Sequence, residues 1–80
     1  MSARSFIISF VCERPIDYNL LVTIFEGVYK SKTVTSNVAT SQYTGVVPSE
    51  KMIDAMLHLT LSAMSGSITL YSVDRNKNGV

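Results

Sequence analysis

The chain has 80 residues, 46% hydrophobic and 16% charged, with seven basic and six acidic side chains and a net charge of about +1. Such a length makes one domain, residues 1–80, close to the limit at which one core suffices, where dimerisation is a common supplement. The hydrophobicity excludes a disordered chain, and the balanced, unclustered charge argues against a protein built on phosphate contacts.

The lone Cys12 has no partner for an internal disulfide, which suits a reducing, cytoplasmic setting. The apolar run near the N-terminus is only about six residues long and lacks a small-residue cleavage site, so neither a signal peptide nor a membrane partner is expected.

Taken in chain order, "FIISFV" at 6–11 is short, aromatic and β-branched. Phe6, Ile8 and Phe10 lie on one side and Ile7 and Val11 on the other, the pattern of a central strand. Pro15 stops it. Asp17 is the expected N-cap of a first helix, with Leu20, Leu21, Ile24, Phe25 and Val28 as its apolar stripe. Gly27 either permits close packing or marks the helix end. The Ser/Thr-rich stretch that follows predicts two strands, 32–38 and 42–47, joined around Ala39 to Ser41.

Ser49 is the expected cap of a second helix. Its apolar residues, from Met52 to Met64, cover more than one stripe and predict contact on two sides, leaving Glu50, Asp54, His58 and Ser62 as a polar ridge. Gly66 supplies a left-handed stop, "SITLYSV" at 67–73 is a last strand, and 74–80 reads as a fraying polar tail.

The order β-α-β-β-α-β, with a core over 6–73, predicts an α+β fold of the ferredoxin-like kind. Four antiparallel strands form one sheet, with both helices on one face. The first strand is central and the last is an edge. Helices cover one face only while the first strand is apolar on both, so the open face is expected to be apolar and to meet a second copy of the sheet, another protein or stacked bases. Phe6 or Phe10 with Tyr43 are the aromatics available for stacking, although "SQYTGVV" lacks the basic, multiply aromatic signature of RNA-binding sheets.

No phosphate loop, zinc-spaced Cys/His set or nucleophile elbow occurs, so no cofactor or metal is expected. A cysteine nucleophile needs an oriented base, and His58, the one histidine, falls within the second helix with no pattern that sets it beside Cys12, so Cys12 reads as a buried or turn residue. His58 reads as half of an exposed pair with Asp54, and Arg14 as a weak surface partner of Glu13 or Asp17. The methionines at 52, 56 and 64 read first as core and second as an adaptable binding surface.

The segment "FIISFVCERPIDYNLLVTIFEGV" resembles the opening of the small CRISPR-associated ferredoxin-like family and its virulence-associated and SinR-like relatives. The likeness runs over 6–73 in element order. It implies a compact dimeric platform. Members with nuclease activity carry an aspartate at the end of the first strand, where this chain reads Val11-Cys12-Glu13.

The leading expectation is therefore a non-enzymatic protein-interaction or inhibitor module, a homodimer, of the kind phages use against host systems. Its candidate contact residues are Phe6, Ile8, Phe10, Tyr43, Met56, Leu61 and Met64. The second reading is a dimeric nucleic-acid-binding or metal-dependent nuclease-like protein, with Glu13 and Asp17 as metal carboxylates.

Overall fold

A computed structural model describes residues 4–76. The chain runs β1 (Ser5–Cys12), α1 (Pro15–Gly27), β2 (Lys32–Asn37), β3 (Gln42–Pro48), α2 (Ser49–Ser65) and β4 (Ile68–Arg75). One sheet has the strand order β2-β3-β1-β4, every neighbouring pair antiparallel. This is the ferredoxin-like arrangement, with β1 central and β4 at an edge as the sequence predicts.

Several boundaries differ from expectation for local reasons. Pro15 opens α1 instead of merely ending the strand, because its missing N–H falls where a helix has no acceptor and its φ is already helical. Arg14 is therefore the N-cap, and Asp17 lies in the first turn, held 3.0 Å from the Arg14 guanidinium. Likewise Pro48 caps α2 and Ser49 is its first residue. The expected tail is shorter by two residues, because β4 continues through Asp74 and Arg75; the remainder of that expectation, 77–80, lies outside the described residues. Gly27 ends α1 in open space, with no atom near its missing Cβ. Gly66 stops α2 in the left-handed conformation at φ 89.

The core sits between the helices and one sheet face. Phe10 stacks on Tyr43 at 5.0 Å between ring centroids and meets Phe25 of α1 at 5.4 Å, while Phe25 receives Tyr29 edge-on. Ile8, Val47, Ala55 and Leu59 complete the fully enclosed centre. From α1 the buried residues are Tyr18, Leu21 and Phe25, spaced three and four apart, and Tyr29 in the following turn is buried beside them. Leu20 and Val28, expected in that stripe, are exposed.

The tyrosines qualify as core because each hydroxyl finds a partner. Tyr18 bonds Ser36 and donates to the Gln42 carbonyl at 3.3 Å. Tyr43 pairs with Ser31 at 2.6 Å and accepts from Thr33 at 3.1 Å. Gly45 makes this possible, since a Cβ there would collide with the Tyr43 ring and the Ser31 hydroxyl.

Candidate functional site

Alternation along β1 sends Phe6, Ile8, Phe10 and Cys12 toward the helices, and Ile7, Ser9 and Val11 to the open face. Three of the expected contact residues, Ile8, Phe10 and Tyr43, are therefore enclosed core and unavailable to a partner. Phe6 is half-buried on the same side. The open face carries no aromatic from β1 or β3, and the base-stacking places foreseen for Phe6, Phe10 and Tyr43 do not exist. Both faces of β1 hold apolar residues, so hydropathy alone does not distinguish them, and the aromatic side took the core because it fills more volume.

The strand register writes the open face as three rows across the sheet. Asn37, Gln42, Val11 and Leu70 form one, and Lys32, Val46, Ile7 and Asp74 another. Between them runs a row of hydroxyls, Thr35, Thr44, Ser9 and Ser72, one from each strand, with Ser9 and Ser72 bonded at 2.9 Å. The centre of this face is thus polar, where an apolar surface was expected.

The second helix presents the larger apolar surface. Met52, Ala55 and Leu59 bury the inner side, and Ile53, Leu57, Leu61 and Met64 remain 84, 59, 53 and 78% exposed. At 3.6 residues per turn these four fall within a sector of about 80°, on the far side of the helix from the core. Together they expose on the order of 500 Å² of apolar surface, the size of the largest patch on an ordinary monomer and a common mark of an interaction site. Of the three methionines, only Met52 is core. The expected contact on two sides is half filled: the sheet covers one side and nothing among the described residues covers the other.

Grooves flank this row. One, of about 570 Å³, is lined by Val28, Tyr29, Leu57 and Leu61 with Asp54, His58 and Ser62 among its polar groups. The other, of about 530 Å³, brings Phe6 and Met56 together with Met52, Ile53 and Val73. Four of the expected contact residues, Phe6, Met56, Leu61 and Met64, therefore lie on or beside one continuous surface around α2.

His58 is not the exposed partner of Asp54 that its place on the polar ridge implied. It is partly buried, its Nδ1 lies 2.9 Å from the Tyr29 hydroxyl, and its ring packs on Phe25. Burial and the nearby Asp54 carboxylate push the Tyr29 phenol above its usual pKa.

The turn after β1 holds no assembled chemistry. Cys12 is buried, and burial with the neighbouring Asp17 charge pushes its thiol up to about 11, which keeps it protonated and a poor nucleophile at neutral pH. Glu13 is exposed, and the Asp17 carboxylate is occupied by Arg14. No group of three His, Cys, Asp or Glu side chains converges among the described residues.

No family model, curated protein or solved structure matches the chain. Its fold therefore rests on its own topology. No helix among the described residues is long and apolar enough to cross a membrane.

Proposed function

We propose that the chain is a non-enzymatic protein-interaction module, an inhibitor or regulator that works as a homodimer and docks a protein partner through the outer face of α2. The observation that carries this reading is the row Ile53, Leu57, Leu61 and Met64, apolar and exposed directly opposite the buried side of the same helix. A helix with one side packed needs no second apolar side for folding, and leaving one in water favours association. The grooves on either flank offer depth for large side chains of the partner. Lone, buried Cys12 fits work in the reducing cytoplasm.

The nuclease-like alternative has less support. Glu13 is exposed, and the Asp17 carboxylate is bonded to Arg14 through both its oxygens.

The test compares proteins captured from host lysate by the wild type and by the double variant Leu57→Ser with Leu61→Ser, both checked for folding by circular dichroism. A partner held stoichiometrically by the wild type and lost by the variant is the expected outcome. A partner held equally by both would overturn the assignment to α2. Metal-dependent nucleic-acid cleavage by a clean preparation, abolished by Glu13→Gln, would overturn the non-enzymatic reading.

A further inference from the structure

The open sheet face carries opposite charges at opposite ends of one row. Lys32 on β2 is level with Val46, Ile7 and finally Asp74 on β4. Three strand spacings separate the two charges by about 14 Å, too far to pair within one chain. The ion pair of the described residues is Arg14 with Asp17, so Lys32 and Asp74 have no such partner there. Around Lys32 the charge is concentrated: Arg4, Lys30 and Lys32 line one groove of about 360 Å³ with Ser5, Val46, Pro48 and Asn76, and no carboxylate is among its lining. Lys30 reaches this corner from a left-handed backbone at φ 57.

We propose that two copies of this chain associate through their open sheet faces about a two-fold axis parallel to the strands, so that Lys32 of each meets the partner's Asp74. This rests on the dimer reading above and specifies its interface.

The axis follows from the rows. A two-fold parallel to the strands keeps every row at its own level and reverses its order from edge to edge. Lys32 then faces the partner's Asp74, and the same contact occurs twice, as an isologous interface requires. Ile7 faces the partner's Val46. Thr35 and Thr44 face the partner's Ser72 and the partner's Ser9. Each hydroxyl both donates and accepts, so the hydroxyl row satisfies itself across the interface.

The other in-plane axis, across the strands, sets Asp74 against the partner's Leu70 and Lys32 against the partner's Asn37. It would desolvate charges without pairing them. Packed sheets lie about 10 Å apart and cross at about 30°, which displaces edge positions by a few ångströms, within the reach of a lysine side chain.

Charge reversal tests this directly by sedimentation over a concentration series. Lys32→Glu and Asp74→Lys each place like charges in both contacts, and each is expected to weaken self-association at least tenfold while melting near the wild type. Mixed in equal amounts, the two variants place opposite charges in both contacts and should associate as tightly as the wild type. The double variant Leu57→Ser with Leu61→Ser should dimerise normally, because α2 lies on the other side of the sheet. Wild-type dimers unaffected by either reversal, or not restored by mixing, would overturn the interface and leave the dimer reading standing. A wild type that stays monomeric at high concentration would overturn both.

Discussion

The two faces of the β1–β3 ladder are built from alternate residues of the same strands, yet they obey different rules. On the helix side Phe10, Tyr43 and Gly45 form a close-packed set in which each residue has a fixed place. On the other side Ser9, Thr44 and Val46 present small side chains to the open face, where Ser9 is bonded to Ser72. A substitution that alternates from one face to the other therefore moves from a position defined by packing volume to one that faces away from the core. The difference shows that the packing of this small domain is concentrated on one face of its sheet.

Removing the central ring should break that contrast most visibly. Phe10→Ala deletes a side chain in contact with Phe25 and Tyr43, and a loss of about 3–5 kcal/mol in urea unfolding is expected, enough to leave a domain of this size largely unfolded. Retention of a cooperative transition near the wild-type midpoint would show that Phe10 is not central.

A smaller change, adding one methyl group, tests the same face from the opposite direction. Gly45→Ala drives a Cβ into the Tyr43 ring and the Ser31 hydroxyl. Overpacking of this kind costs about 1–3 kcal/mol, and the thermal midpoint should fall accordingly. An unchanged midpoint would mean that Tyr43 has room to move.

The smallest effect belongs to the open face. Ser9→Ala removes one exposed hydroxyl bond to Ser72 and should shift unfolding by less than about 0.5 kcal/mol when measured at low protein concentration, where association contributes least. A loss comparable to that of Gly45→Ala would erase the distinction between the faces.

Much of the architecture was readable from local pattern. "FIISFV" announced a central strand, Ser65-Gly66 a helix stop, and the element order a ferredoxin-like sheet. Core assignment was less readable wherever a residue's partner is distant in the chain. Tyr18 and Tyr29 look polar enough to ignore until Ser36, Gln42 and His58 are brought to their hydroxyls. Gly45 looks like an ordinary strand interruption until the Tyr43 ring lies across it. The wide apolar arc of α2 did signal more apolar surface than the sheet covers. The arc alone did not separate Met52, which is buried, from Met64, which is exposed, because both satisfy the same hydropathy rule.

The sequence by itself determined the elements, their order and hence the fold, because propensity, capping and periodicity act over a few neighbouring residues. Only the tertiary structure decided which side of β1 faces the helices, which residues of α2 stay in water, and that Lys32 and Asp74 share a row. Those are facts of register and packing volume, set by paired residues 14 to 67 positions apart in the chain, from Lys32 and Val46 at one extreme to Ile7 and Asp74 at the other. No local pattern encodes them.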